Sequence, residues 1–166
     1  MALNIGKNIK QIAKEVLINE ARAIENLTHF IDNDFEACVN EILQSKGRVV
    51  ITGIGKSAII ANKIVATMNS TGTPALFMHA ADAIHGDLGM IQSEDIVICL
   101  SKSGNTPEIK VLVPLLKRRG SKLVALVSNK NSYLADHADF ILNATIAEEA
   151  CPNNLAPTTS TTAHLA

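Results

Sequence analysis

The sequence predicts an α/β fold: a three-layer αβα sandwich with a five-stranded parallel sheet, preceded by N-terminal helices. Three observations carry that reading. Five short runs, at 49–51, 75–78, 95–100, 123–127 and 140–142, have strand length and mostly apolar, often β-branched composition, as in strands buried on both faces. Segments of helical period separate them, the alternation that builds a parallel sheet covered by helices. Glycine and hydroxyl residues gather after the first and third runs, at the strand ends where such sheets bind their ligands.

The elements follow in order. Ile5, Ile9, Ile12 and Val16 recur at helical spacing, and Leu27, Phe30, Ile31, Phe35, Cys38, Val39 and Ile42 continue it, which predicts one or two long helices. Lys46 and Gly47 supply a stop: a cation at the helix's negative end, then a permissive residue. A helical arm this long ahead of the sheet is expected to pack against a second subunit, so the chain reads as an oligomer. The first strand leads through Thr52-Gly53-Ile54-Gly55-Lys56-Ser57 into an amphipathic helix at 58–69. Residues 70–74 form a turn before the second strand, and 79–87 read as a short helix closed by His85-Gly86-Asp87. The third strand runs into Ser101-Lys102-Ser103-Gly104-Asn105-Thr106, with Thr106 as N-cap and Pro107 opening a helix at 107–119. Gly120 caps that helix. A fourth strand, a short helix near Tyr133 and a fifth strand follow, and then a Glu-, Pro- and Thr-rich loop.

With 166 residues, 47% hydrophobic and 19% charged, the chain fits one domain with a sizeable core. A net charge of -1 gives no basic field for nucleic acid or an anionic membrane, and 3% aromatics with no Trp leave no stacking platform for bases. Cys38, Cys99 and Cys151 lack metal-ligand or redox spacing and read as reduced thiols. No apolar run reaches the length of a membrane span, and the first fifteen residues are helical in pattern without a signal-peptide core, which points to the cytoplasm.

The polar loops carry the chemistry. Hydroxyls and a glycine between the third strand and a helix N-terminus collect unpaired N–H groups at the positive end of a helix dipole, a ready site for phosphate. The loop at 53–58 is not a simple Walker A motif, because Val50 stands where the leading glycine belongs. It is not a dinucleotide fingerprint either, because the second strand ends in Met78-His79 rather than in an acid. It reads instead as a backbone nest, Gly55 to Ser57, carrying Lys56 toward a sugar phosphate or an oxyanion. His79 and His85 lie six apart around Asp82 and Asp87; such a pair can bind a divalent metal, but the spacing matches no standard helical ligand pair, so metal is the lesser reading. His85 can also serve as an acid or base near neutral pH. His29, His137 and His164 read as surface or core histidines. Glu149 follows the fifth strand at the same sheet edge, and Glu108 lies in a helix first turn that favours its ionised form, so both are candidate carboxylates for proton transfer.

Taken jointly, TGIGKS, STGTPALFMHAADAIHGDLGM, SKSGNTPEI and EEACPNNLAPTTSTTA closely resemble the sugar isomerase (SIS) domain, of flavodoxin-like fold, of bacterial arabinose-5-phosphate isomerases. The resemblance implies reversible conversion of D-ribulose 5-phosphate into D-arabinose 5-phosphate, toward the 3-deoxy-D-manno-octulosonate of lipopolysaccharide, by a cytoplasmic homotetramer that needs no cofactor. By family position Lys56, Glu108 and Glu149 fall on residues tied to catalysis, and Ser101, Ser103 and Thr106 on the phosphate loop. Gly72, Thr73 and His85 fall on positions associated with substrate, joined by Gly55 and Ser57 from the first loop. His79 matches a position where family members hold a divalent metal such as zinc, to their detriment. The family adds a catalytic histidine in a Ser-His-Pro-Gly-Gly context and paired cystathionine-β-synthase-type domains, neither of which occurs in these residues. The expectation is therefore a single, C-terminally truncated SIS domain. The competing expectation, from another class, is an SIS module that binds a sugar phosphate without turning it over.

Overall fold

The structure is a computed structural model that describes residues 9–153 and 156–166; Ile5, Asn154 and Leu155 lie outside the described residues. In chain order come α1 (Ile9–Leu27), α2 (Asn33–Gln44), β1 (Val49–Gly53), α3 (Lys56–Ser70), β2 (Ala75–His79) and α4 (Ala80–Ile84). They are followed by β3 (Ile96–Leu100), α5 (Pro107–Arg119), β4 (Lys122–Val127), α6 (Tyr133–His137), β5 (Phe140–Asn143) and α7 (Thr159–Leu165). Single 3₁₀ turns stand at Thr28–Phe30 and Asp87–Met90.

The five strands form one parallel sheet in the order β2-β1-β3-β4-β5, the flavodoxin-like arrangement whose order reverses between β1 and β3. Alternate side chains serve the two faces. Val50, Val97, Cys99, Leu123, Ala125 and Val127 meet α4, α5 and α6, with Ile109, Leu112, Val113 and Leu116 fully buried among them. Val49, Ile51, Ile96, Ile98, Leu100 and Val124 meet Cys38 of α2 and Ile60 and Ala61 of α3. The layers are helix, sheet, helix, as the alternation predicts. Burial pushes the thiols of Cys38 and Cys99 up, to about 11 and about 12, and none of the three cysteines forms a disulfide.

Register brings the carboxyl ends of the strands level: Gly53 pairs with Leu100, and Leu100 with Leu126. The opposite edge is tied by Asp95, whose side chain is fully buried and accepts from Arg48 N, Nε and Nη2 and from Gln92 N at 2.7–3.1 Å. That cluster joins the entries to β1 and β3.

Three local expectations change. The second N-terminal helix stops at Gln44, with Ser45 as extended C-cap, rather than at Lys46-Gly47. Gly47 is needed for another reason, since a Cβ there would lie 2.2 Å from Glu94 O. Thr106 occupies the N-cap position of α5, yet its hydroxyl makes no capping bond. The Thr-rich loop is partly a helix, α7. β-Branched residues disfavour that conformation, and tertiary contacts override the propensity: Thr159, Ser160, Ala163 and His164 are buried, and Thr162 Oγ1 donates to Glu20 Oε2 of α1 at 2.8 Å.

Candidate active site

The loops after β1, β3, β4 and β5 enclose a cavity of about 720 Å³ at the carboxyl edge of the sheet, over the point where strand order reverses. Ile54 and Ser57 line it from the first loop, Ser101, Lys102, Ser103 and Thr106 from the second, and Glu148 and Glu149 from the last. Ser128 and Asn129, after β4, complete the wall.

The loop after β3 is built to offer hydroxyls. Ser101 Oγ accepts from Gly104 N at 3.1 Å and Ser103 Oγ accepts from Asn105 N at 3.2 Å. An accepting hydroxyl keeps its own proton for donation. Thr106 Oγ1 is buried with no hydrogen-bond partner, a third free group in the same wall. Gly104 makes the turn possible: its φ is +66°, and a Cβ would sit 2.1 Å from Ser132 Oγ. Asn105 Oδ1 accepts from Tyr133 N at 3.1 Å, which pins the loop to the start of α6.

Facing these hydroxyls is Glu149, with 9% of its side chain exposed. Oε1 accepts from Lys102 Nζ at 2.6 Å, and Oε2 from Thr158 N at 2.8 Å and Ser160 N at 3.1 Å. Burial pushes this carboxyl up, but the Lys102 ammonium and the Ser160 and Thr158 donors outweigh it and hold the pKa down at about 2. Glu149 is thus an ionised carboxylate set into the cavity wall. His164 of α7 is buried with Nε2 unpartnered, and its pKa is pulled down by burial and by the Lys102 charge, with Glu149 opposing.

Residues 41–166 match the family of the SIS domain. The chain belongs to the SIS domain family. It is 47% identical over 154 residues to the arabinose 5-phosphate isomerase KpsF of Escherichia coli O6:H1 strain CFT073, covering 92% of this chain and 47% of that protein. It is 46% identical over 165 residues to the arabinose 5-phosphate isomerase KdsD of Pseudomonas aeruginosa, covering 98% of this chain and 51% of that protein. Among solved structures, an E. coli CFT073 protein in complex with arabinose 5-phosphate superposes with a TM-score of 0.90 at 36% identity, over 99% of this chain and 86% of that one. The chain spans about half the length of the curated relatives it matches.

This SIS domain gathers Ser57, Ser101, Ser103, Thr106 and Glu149 around the one cavity. Lys56 is the exposed first residue of α3, between the lining residues Ile54 and Ser57, and follows Gly55 at φ 59°. Glu108, half-buried, is the second residue of α5, two beyond Thr106. His85 is the exposed C-cap of α4. His79 ends β2 beside Gly53, with Nδ1 3.8 Å from Asp82 Oδ2 and no hydrogen-bond partner. Gly72 and Thr73 precede β2 and so lie at the amino edge of the sheet, away from the cavity by the length of a strand, roughly 16 Å. Lys102 was not singled out in the sequence, and nothing local marks it: its partner is 47 positions away. Asn129 was within reach of the rule that ligands meet the carboxyl ends of strands, since it follows the fourth.

Proposed function

We propose that this SIS domain carries the active site of an aldose-ketose isomerase interconverting D-ribulose 5-phosphate and D-arabinose 5-phosphate through an enediol. The observation that carries the reading is a single cavity in which the free hydroxyls after β3 stand across from the ionised Glu149. Relatives named for this isomerisation share 46–47% of their aligned residues with the chain.

Ser101, Ser103 and Thr106, with Gly55 and Ser57 opposite, receive the phosphate, and that remote binding orients C1 and C2 toward the acid and base groups. Glu149 or Glu108 takes a proton from C1 of the ketose, the enediolate oxygens carry the charge, and the proton returns to C2 to give the aldose. Lys56, a cation at the start of α3 beside the lining residue Ser57, stabilises the enediolate. His85 assists proton exchange between the hydroxyls, whereas Gly72 and Thr73 lie at the opposite edge of the sheet from this cavity. No cofactor takes part, and a divalent metal such as zinc at His79 inhibits rather than assists. In the cell the product feeds lipopolysaccharide synthesis from the cytoplasm.

The chain works as a homotetramer. Only Ala23 of α1 is buried, while Leu17, Leu43 and Ile59 are 69–76% exposed and Ile18, Ile31, Phe35 and Val39 are also uncovered. Apolar exposure of this extent on neighbouring helices is suited to burial against another copy. Light scattering that returns a monomer at micromolar concentration would remove this part of the reading.

The test is to incubate the chain with D-ribulose 5-phosphate in D₂O and follow products by proton NMR, with chelator present. Appearance of arabinose 5-phosphate deuterated at C2, slowed in Glu108→Gln or Glu149→Gln, supports isomerisation. Binding without any aldose supports the module that binds without turnover.

A further inference from the structure

The loop after β3 holds a cation that the scheme above does not use. Lys102 stands between Ser101 and Ser103, lines the same cavity and has a side chain half exposed. Its Nζ meets only one oxygen of Glu149, Oε1 at 2.6 Å. The other, Oε2, is held by the backbone of Thr158 and Ser160. Glu149 therefore stays anchored whether or not the ammonium remains. A phosphate seated on Ser101 and Ser103 lies within the sweep of the side chain carried between them, and lysine is a rotatable point charge on a flexible stem. A phosphate monoester bears close to two negative charges near neutral pH, against one on the carboxylate.

We propose that Lys102 is a shared counter-ion: it pairs with Glu149 until the phosphate of a sugar phosphate takes it, so that binding at one end of the substrate uncovers the carboxylate at the other. This rests on the cavity being a sugar-phosphate site. The electrostatics agree with the geometry. The strongest influence on Glu149 is burial, which pushes its pKa up, and the leading downward one is the Lys102 hydrogen bond. Moving the ammonium onto phosphate lets burial act and strengthens Glu149 as a base. The other charged or titratable groups around it are few. His164 of α7 acts on it with a pKa pulled down by burial, Glu148 lies exposed on the same wall, and the Ser160 hydroxyl and amide stay in place.

The experiment uses the full chain with ¹³C-labelled glutamate, the Glu149 carboxyl signal being assigned with Glu149→Gln. Its titration is followed with and without saturating inorganic phosphate at constant ionic strength, and phosphate affinity is measured calorimetrically in wild type, Lys102→Met, Lys102→Arg and Ser103→Ala. Phosphate should move the Glu149 midpoint upward in wild type. In Lys102→Met the midpoint should start high and ignore phosphate, and phosphate should bind about tenfold more weakly, the loss of one charge-assisted contact. Lys102→Arg should restore both. If Ser103→Ala weakens phosphate binding while Lys102→Met changes neither affinity nor midpoint, the shared counter-ion is refuted and the phosphate site survives. If phosphate does not bind wild type at all, both readings fall.

Discussion

Replacing Glu149 with glutamine tests how much of the fold around the cavity is held by one charged anchor. The carboxyl titrates at about 2 in the fold against an ordinary 4.5, a depression of about 2.5 pH units, worth about 3 kcal/mol at neutral pH. With 9% of the side chain exposed, solvent screening removes little of that. Glutamine keeps one oxygen able to accept from Thr158 N or Ser160 N, so the expected loss in Glu149→Gln is nearer 2 kcal/mol, a fall in Tm of about 4–8 °C for a chain of this size. The pH dependence follows from the direction of the shift. The folded pKa lies below the unfolded one, so the contribution is complete above about pH 4.5 and disappears as pH falls through about 2. Urea unfolding of both proteins at pH 7.5, 5, 4 and 3, followed by circular dichroism, measures the gap. It should narrow steadily below pH 4.5. A gap independent of pH would show that shape, not charge, ties Glu149 to Lys102 and α7, and the electrostatic account of the site would be wrong.

Three further outcomes follow from the geometry. Asp95→Ala strands four donors, three of Arg48 and the amide of Gln92, around a fully buried position and should cost about 3–5 kcal/mol; a loss below 1 kcal/mol in urea unfolding would contradict the role given to this cluster. Gly104→Ala places a methyl 2.1 Å from Ser132 Oγ at a φ of +66°, so it should displace the hydroxyl loop and weaken binding of inorganic phosphate at least tenfold while circular dichroism stays native; unchanged calorimetry would overturn the assignment. Cys38 and Cys99 are buried with pKa values near 11 and 12, whereas Cys151 is half-buried, so a thiol reagent at pH 8 should report about one reactive group in the native protein and three in urea. Three fast thiols in the native protein would count against the core described for β3 and α2.

Much of the fold was legible because its signals are local. Each strand is a run of four to six residues whose period differs from its flanks, and parallel pairing follows from the helices between them. Pro107 and Gly120 mark both ends of α5, and both stand where the sequence puts them. The illegible parts are those settled at a distance. Gly47 looks like a helix stop, but its requirement comes from Glu94, 47 positions away. The break between α1 and α2 turns on Asp32, whose side chain accepts from Asp34 N and Phe35 N and caps α2 within a pattern that reads as continuously apolar. α7 is invisible to propensity because a Thr-rich segment becomes helical only when packed against α1 and anchored by Glu149.

The candidate site divides along the same line. Ser101, Ser103 and Thr106 share one loop, so their spacing alone brings three hydroxyls to one wall of the cavity. The acid that faces them is delivered by a different strand, and its strength depends on a lysine that no motif singles out. β3, β4 and β5 are consecutive neighbours in the sheet, so the loop after β5 must return across two strand spacings, about 10 Å, before Glu149 reaches Lys102. That return is made through Ser128, whose hydroxyl donates to Ala144 O at 2.7 Å and whose carbonyl accepts from Thr145 Oγ1 at 2.8 Å. Loosening this stitch should free Glu149 from Lys102 without touching either residue. The topology thus does what spacing along the chain does not: it brings the hydroxyl loop after β3 and the carboxylate after β5 to one cavity, with the Lys102 ammonium on that carboxylate.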